Sequence, residues 1–240
     1  MVKQLVKVNI IFLLLLILIS LISFLHNYLE VINVRQYSNW EVSITEQDKP
    51  PYRILINLEE NKLHLNRGDV LVKSYDVSGG KISTPTPLGT WKIISKDTWY
   101  KGFGGRWMAL NVPYGKYGIH GTVFPSLIGK NASGGCIRMY NKDAKELYNI
   151  VPLGTQVTII HPNRTYRRIK DGDVGSDVME VQNKLKELKY FHGYPDGKYG
   201  IWLKKAVIKF QKDKGLWPTG EVNKKTYETL GIQIQKYRDW

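Results

Sequence analysis

The stretch "YRILINLEENKLHLNRGDVLVKSYDVSGG", residues 52–80, decides the fold of the largest part of this chain. Apolar and polar residues alternate along it, which is the period of a β-strand with one buried face. The segments "EEN" (59–61) and "NRGD" (66–69) interrupt this alternation with residues that favour turns. The pattern predicts three consecutive antiparallel strands, a β-meander.

Later segments carry the same β character and extend the domain to residue 161. They are "STPTPLGTWKIISK" (83–96), "RWMALNV" (106–112), "YGIHGT" (117–122) and "TQVTIIHP" (155–162). Between them, "NKDAKELYNIV" (141–151) has the period of a helix, and Asn141 is its candidate N-cap. The apolar face of this helix consists of Ala144, Leu147 and Tyr148. Residues 52–161 are therefore predicted to form a mostly β, sandwich-like domain with one or two helices.

A polar, basic linker is predicted at residues 162–173, and the hydrophobic period becomes helical after it. The apolar positions of the predicted helices are Val178, Val181, Leu185 and Leu188, then Leu203, Ala206, Val207 and Phe210, then Tyr227 and Leu230. Ser176 and Asn223 are candidate N-caps of the first and third helices. Residues 174–232 are thus predicted to form a small all-α domain of three helices, with little core to spare.

The N-terminus predicts a transmembrane anchor. Lys3 and Lys7 precede the apolar run Val8–Leu25, which as a helix is about 27 Å long, close to the hydrocarbon thickness of a bilayer. The run ends in "FLHNYLE", without the small residues of a signal-peptidase site, so we expect it to stay uncleaved. The lysines place the N-terminus in the cytoplasm and the rest of the chain outside. Residues 1–30 are then tail and single-pass anchor, and residues 31–51 a stalk.

The net charge of +14 is spread along the chain, without an arginine-rich arm. On an exported protein such a charge indicates an anionic polymer or a membrane surface as neighbour. Nucleic acid, the other usual partner of a basic chain, conflicts with the predicted topology. The single cysteine excludes an internal disulfide bond and leaves one thiol unpaired outside the cell.

That cysteine lies in "SGGCIRM", residues 133–139, and His120 precedes it by 16 positions. A thiol needs a base or a lowered pKa to attack a carbonyl group at neutral pH, and an imidazole supplies both. The backbone N–H groups of Gly135 and Cys136 are able to bind an oxyanion, and Arg138 adds a positive charge for a substrate carboxylate. Taken alone, each feature also has a structural explanation, and a lone cysteine is often a small buried hydrophobe.

A metal site is the other interpretation of a cysteine with histidines. Such a site needs about four ligands at short spacings. The remaining histidines are scattered along the chain at His26, His64, His161 and His192. We therefore expect neither a metal nor a cofactor.

"IHGT" (119–122), a loop with glycine and proline, and then "SGGCIRM" together resemble the signature of the L,D-transpeptidase catalytic domain, the YkuD family. "STPTPLGTWKI" (83–93) resembles that family's turn before its next strand. The resemblance covers residues 52–161 and implies the L,D-transpeptidase fold and a cysteine-dependent acyl transfer. Many members have histidine where this chain has Gly134, a position that contributes mainly backbone, so we expect activity to survive this difference.

The resemblance also implies a role for each residue of the motif. Cys136 is the nucleophile, His120 its base, and the backbone carbonyl of Gly121 orients the histidine. Gly135 and Cys136 form the oxyanion hole. The residues that contact substrate are Arg138, Ser133 and Gly134.

The C-terminal segment resembles the peptidoglycan-binding three-helix domain. The resemblance covers residues 174–231 and rests on "VMEVQNKL" (178–185), "DGKYG" (196–200), "AVIKFQ" (206–211) and "TYETL" (226–230). Trp202 and Leu203 stand where a small polar residue usually opens the second helix of that family. The alternatives are a helical bundle that only fills space and a basic helix-turn-helix, which the predicted location outside the cytoplasm disfavours.

These resemblances imply a membrane-anchored L,D-transpeptidase that forms 3→3 cross-links in peptidoglycan, with stem peptides and glycan as partners. One alternative retains the acyl-enzyme but lets water attack it, which gives an L,D-carboxypeptidase. The other alternative is a non-catalytic anchor protein that binds the cell wall, and the intact pair of His120 and Cys136 argues against it.

Overall fold

A computed structural model of the chain describes residues 17–30, 50–98 and 101–238. Residues 17–30 are helical (α1) and exposed. The first part of the predicted anchor, residues 8–16, lies outside the described residues, as does most of the predicted stalk. Among the residues that are described, no helix has both the length and the apolar character needed to cross a membrane.

Residues 50–240 form one compact unit that begins with a closed barrel of eight strands. In chain order these strands are β1 (Tyr52–Asn57), β2 (Lys62–Arg67), β3 (Val70–Ser78), β4 (Gly89–Asp97), β5 (Trp107–Leu110), β6 (Tyr117–His120), β7 (Ile137–Met139) and β8 (Gln156–Ile160). Around the barrel their order is β1-β2-β3-β7-β6-β5-β4-β8. The predicted β-meander is confirmed, because β1, β2 and β3 pair in sequence as antiparallel neighbours.

The predicted sandwich-like arrangement is wrong, because the sheet closes on itself. Strand β8 pairs with β1 in parallel and with β4 antiparallel, which removes both edges. Strand β4 also pairs with β5, and its register with β5 shifts between Ile93 and Ser95. Such a shift bends a strand and lets it continue into the next part of a curved sheet.

The barrel interior is filled by alternate residues of every strand, among them Ile56, Leu63, Ile119 and Ile137, each at most 1% exposed. Short 3₁₀ helices occupy Lys101–Phe103 and Pro125–Leu127, and helix α2 (Asn141–Ile150) follows β7. The N-cap of α2 is Tyr140 and no side chain caps the helix, so the prediction for Asn141 is wrong. Its side chain has a tertiary partner instead, which is described with the site below.

The helical domain consists of α3 (Ser176–Glu187), α4 (Ile201–Asp213) and α5 (Lys224–Thr229), as predicted from the periodicity. The predicted apolar positions are buried, except that Leu188 is exposed. Asn223 caps α5 by accepting a hydrogen bond from the Thr226 N–H group, which confirms that prediction. Ser176 does not cap α3. Its hydroxyl instead accepts a hydrogen bond from the Leu88 N–H group of the barrel, at 3.2 Å.

Part of the predicted linker belongs to the core of the helical domain. Residues Thr165–Arg167 form strand β9, which pairs in parallel with β10 (Lys236–Arg238). Tyr166 and Ile169 are buried in the same apolar cluster as Val178 and Phe210. Basic residues flank these two apolar positions, so the segment is polar on average and its sequence predicts a linker.

Candidate active site

The pairing of β6 with β7 brings the predicted nucleophile and base to one place. These strands are parallel, with Ile119 opposite Ile137 and His120 opposite Arg138. Side chains alternate between the two faces of a sheet, so Ile119 and Ile137 point into the barrel while His120 and Arg138 share the outer face. Cys136 directly precedes β7, two residues before Arg138, and therefore belongs to this outer face. The register is what joins two motifs that lie 16 positions apart.

Gly118 leaves room beside the thiol. Continued by one residue, the register places Gly118 next to Cys136, and the Gly118 backbone amide forms a hydrogen bond to the thiol. A Cβ atom on Gly118 would lie 2.7 Å from the Met108 carbonyl oxygen and from the Trp107 ring. The packing of Trp107 against this strand therefore requires glycine at this position.

Two aromatic rings enclose the imidazole of His120. The Trp107 ring lies 5.6 Å from it at 31°, and the Phe103 ring lies 4.7 Å from it at 84°. His120 is consequently only 4% exposed. This apolar contact on two sides keeps water away from the base and makes a charge on it costly. Neither aromatic residue belongs to a recognisable motif, so nothing in the sequence pattern indicates a role for either.

One ring nitrogen of His120 is engaged by its own chain. The Nδ1 atom donates to the backbone carbonyl of Gly121. A carbonyl oxygen only accepts hydrogen bonds, so the proton of the neutral ring resides on Nδ1 and Nε2 is left as the acceptor. This tautomer is the one that a base toward the Cys136 thiol requires.

Asn141, at the start of α2, fixes the segment that carries this carbonyl. Its Oδ1 atom accepts a hydrogen bond from the Thr122 N–H group at 2.7 Å. It lies so close to Gly121 and Gly104 that a Cβ atom on either glycine would overlap with it. Asn141 thereby ties the loop after His120 to the turn that carries Phe103. The sequence predicts a helix cap because Asn141 stands at the start of α2. Its Oδ1 atom instead accepts a hydrogen bond from Thr122, a residue outside the helix.

The turn before Cys136 differs from the expected oxyanion hole. The Gly135 N–H group donates to Ser133 Oγ at 2.9 Å, and Ser133 Oγ donates to the Cys136 carbonyl at 2.6 Å. The Gly135 amide is therefore occupied in this structure, and its role in an oxyanion hole stays a prediction. Within the part of the chain that the structure describes, the Cys136 amide has no hydrogen-bond acceptor. This amide is the backbone donor that remains for a substrate oxygen.

Ser133 and Gly134, the other predicted substrate contacts, lie in very different surroundings. Ser133 is 1% exposed, and its hydroxyl closes the turn, so its predicted contact with substrate stays a prediction. Gly134 is exposed, and a Cβ atom there would meet nothing within 4 Å. Gly135 has a φ of +114°, and its Cβ would lie 2.7 Å from the Tyr117 ring, so only glycine fits there.

The site holds both members of the pair uncharged near neutral pH. Burial raises the pKa of the Cys136 thiol above its usual 9.0, although the Gly118 amide and the charge of Arg138 both oppose this rise. Burial lowers the pKa of His120 to about 4, the Gly121 carbonyl opposes this shift, and the charge of Arg138 adds to it. The resting pair is therefore a thiol and a neutral imidazole, and not a thiolate–imidazolium ion pair.

Among the described residues, no group of three or more His, Cys, Asp or Glu side chains is arranged to hold a metal ion. The thiol of Cys136 and the oriented imidazole of His120 support the chemistry of a nucleophile with a general base. Arg138, half-buried beside both, contributes a fixed positive charge.

Comparison with known proteins identifies both parts of the compact unit. Residues 51–159 match the profile of the YkuD family, the L,D-transpeptidase catalytic domain, and residues 174–230 match the "Putative peptidoglycan binding domain". A relative from Bacillus licheniformis, "Putative L,D-transpeptidase YkuD", is 47% identical over 117 residues, which are 48% of this chain and 70% of the relative. "Putative L,D-transpeptidase YqjB" from Bacillus subtilis is 30% identical over 146 residues, which are 54% of this chain and 82% of the relative. A solved L,D-transpeptidase from Mycobacterium smegmatis aligns with a TM-score of 0.41 at 18% identity, over 45% of this chain and 58% of that one.

The resting protonation state predicts how the thiol reacts with a small neutral electrophile. We expect alkylation of Cys136 by iodoacetamide to accelerate with pH in a single step whose midpoint lies above 9.0, because the thiol must first lose its proton. Replacing Arg138→Gln removes a charge that favours the thiolate and should move this midpoint further up. The measurement is the rate of mass increase between pH 5 and 10. A plateau of fast alkylation between pH 5 and 8 that disappears in His120→Ala would demonstrate a resting ion pair and contradict this description.

Proposed function

This chain belongs to the L,D-transpeptidase family of the YkuD type, and we propose that it cross-links peptidoglycan stem peptides through a thioester on Cys136. The observation that carries the proposal is the oriented, neutral imidazole of His120 on the same strand pair as the thiol. The donor substrate is a tetrapeptide stem, cleaved between its third residue and the terminal D-alanine.

In the first half-reaction the thiol attacks the carbonyl carbon of the third stem residue. The proton of Cys136 passes to His120 Nε2 as the carbon–sulfur bond forms, and the carbonyl oxygen becomes an oxyanion within reach of the Cys136 N–H group. The carbon–nitrogen bond to D-alanine then breaks, and the imidazolium of His120 returns the proton to the leaving amine. The products are a thioester and free D-alanine.

In the second half-reaction a side-chain amine of another stem attacks the thioester. His120 accepts a proton from this amine, the carbon–sulfur bond breaks, and the thiolate regains its proton from His120. The result is an amide bond between the third residues of two stems, a 3→3 cross-link. When water attacks in place of the amine, the product is a tripeptide, which is the L,D-carboxypeptidase reaction.

The low pKa of His120 fixes its protonation state at the start of this cycle. A base with a pKa of about 4 is neutral at pH 7, and it accepts the thiol proton only as the carbon–sulfur bond forms. The imidazolium that forms is a strong acid in the same apolar contact, so it returns the proton readily to the leaving amine. Arg138 supplies the positive charge that holds a carboxylate of the donor stem.

The helical domain binds the second partner, which is the peptidoglycan polymer itself. Its match to a peptidoglycan-binding profile covers all three of its helices. Trp202 is 72% exposed beside Lys205, whose Nζ atom lies 4.8 Å from the centre of its ring. An exposed aromatic ring next to cationic side chains suits a polymer of sugar rings and acidic peptides.

We also propose that residues 8–25 anchor the chain in the cell membrane, with the catalytic domain outside the cytoplasm. The support for this is the apolar run after Lys3 and Lys7. The protein should stay in the membrane pellet after alkaline carbonate extraction, and a protease added to intact spheroplasts should digest residues 50–240. Release of the chain by carbonate would exclude the anchor.

The catalytic role of Cys136 is tested by mass spectrometry of tetrapeptide muropeptides incubated with the purified chain. Cys136→Ala should lower both D-alanine release and cross-linked dimer by a factor on the order of 10³ or more, because the nucleophile is lost. His161→Ala, which changes a histidine outside the motif, is the control and should retain wild-type rates. Dimers with 3→3 links indicate transfer and tripeptides indicate hydrolysis, whereas product formation by Cys136→Ala would remove the thiol from the mechanism.

A further inference from the structure

The helical domain packs directly on the catalytic barrel. Met179 of α3 lies against the apolar core of the barrel, where Leu88 and Tyr114 also pack. The Leu88 N–H group donates to Ser176 Oγ in the first turn of α3. These contacts lie within the one compact unit of residues 50–240. The two domains are therefore joined by more than the chain between them.

A further contact between the domains joins Gly197 and Tyr114. Gly197 has a φ of +70°, and a Cβ atom there would overlap with the Tyr114 ring. The loop around Gly197 is held rigidly, because the Gly197 N–H group donates to Oε1 of Gln182 at 2.7 Å, and Gln182 is 2% exposed. Gln182 Nε2 in turn donates to Asp196 Oδ1 and to the Lys198 carbonyl. This fixed loop, residues 196–198, packs against one side of the Tyr114 ring.

On its other side, Tyr114 contacts Tyr117, which lies near the nucleophile Cys136. Its ring lies 6.3 Å from Trp91 and 6.0 Å from Tyr117, both at steep angles. The Tyr117 ring occupies the space where a Cβ atom of Gly135 would lie, at 2.7 Å, and Tyr117 is close enough to Cys136 for the two to interact electrostatically. The Tyr114 hydroxyl is buried close to Ser176 of α3, without a hydrogen bond of ordinary geometry in the described part of the chain, so the contacts of its ring are the main restraint on this side chain.

We propose that the helical domain positions the nucleophile: the loop at Gly197 fixes Tyr114, Tyr114 fixes Tyr117, and Tyr117 shapes the turn that presents Cys136. Tyr114 and Tyr117 are then positioning residues, and the helical domain acts on the reaction as well as on the polymer. The effect on stem-peptide turnover rests on the proposed function above, whereas the effect on the reactivity of the thiol does not.

The physical argument is one of packing. Tyr114 and Tyr117 are partly buried and pack against the core and against each other, so a displacement at Gly197 is passed to the next ring. Gly135 has a backbone conformation that few residues adopt, and such turns persist only when their surroundings hold them. A shift of about 1 Å at a nucleophile is enough to change a rate by up to 100-fold. Tension on the helical domain from a bound polymer would thus reach the thiol.

The direct test is Gly197→Ala in the full-length protein, with Gly215→Ala as its matched control. Gly215 has nearly the same φ, +67°, but a Cβ there meets nothing within 4 Å, so this variant carries the same backbone strain without the contact to Tyr114. Two rates are measured, iodoacetamide alkylation of Cys136 at pH 9 and turnover of a soluble tetrapeptide stem too short to reach the helical domain. Gly197→Ala should change both by roughly tenfold, and Gly215→Ala by less than twofold. Wild-type rates in a folded Gly197→Ala protein would overturn the proposal.

Variants on the barrel side decide the case in which Gly197→Ala fails to fold. Tyr114→Ala removes the intermediate ring and should change both rates as Gly197→Ala does, and Tyr114→Phe, which retains the ring, should restore them. Where all variants fold, the double variant of Gly197→Ala and Tyr114→Ala should be no worse than either single one, since both break the same contact. Wild-type alkylation and turnover in Tyr114→Ala would overturn the proposal.

A protein that shows the expected alkylation changes but no turnover in any form would instead refute the proposed function and leave the coupling intact.

Discussion

The parallel pairing of β6 with β7 is the interaction on which the rest of the site depends. It converts two short sequence motifs into one face of a sheet, with His120 opposite Arg138 and the thiol directly before the second strand. Because the barrel closes around this pair, Ile119 and Ile137 are buried in its interior and hold the register. A slip by one residue would turn His120 into the barrel core and expose the two isoleucines, which the core does not permit. The catalytic geometry is thus enforced by the same apolar burial that stabilises the fold.

Burial also decides the chemistry, because it opposes charge on both reacting groups. Trp107 and Phe103 exclude water from the imidazole, and the pKa of His120 falls to about 4. Arg138 favours the thiolate and disfavours the imidazolium, but burial is the largest influence on both groups. The pair therefore resembles the serine–histidine pair of a serine hydrolase, whose neutral nucleophile loses its proton during attack. It resembles a preformed thiolate–imidazolium ion pair less. The fixed tautomer of His120 makes this possible, since it leaves Nε2 free to accept the proton.

Sequence patterns predicted local structure well and tertiary partners poorly. Alternation located the strands and helical periodicity located the three C-terminal helices, because both depend on neighbours a few residues away. Barrel closure depends on pairing β1 with β8, about 100 residues apart, and no local pattern records it. The three candidate caps show the same division. Asn223 caps its helix, whereas Asn141 and Ser176 are engaged by backbone groups of distant segments. The motif located Cys136 and His120, but it did not reveal that Ser133 occupies the Gly135 amide or that Tyr117 covers that turn.

The neutral resting state of the pair is the central claim, and nuclear magnetic resonance of the His120 ring nitrogens tests it most directly. In protein labelled with ¹⁵N-histidine, the His120 signals should show the neutral Nδ1–H tautomer from pH 8 downward and titrate with a midpoint of about 4. Cys136→Ser should leave this titration nearly unchanged, because no thiolate stabilises the ring in the wild-type protein. An imidazolium signal at pH 7 that disappears in Cys136→Ser would contradict the claim, because it would show that the thiol has already given its proton to the histidine.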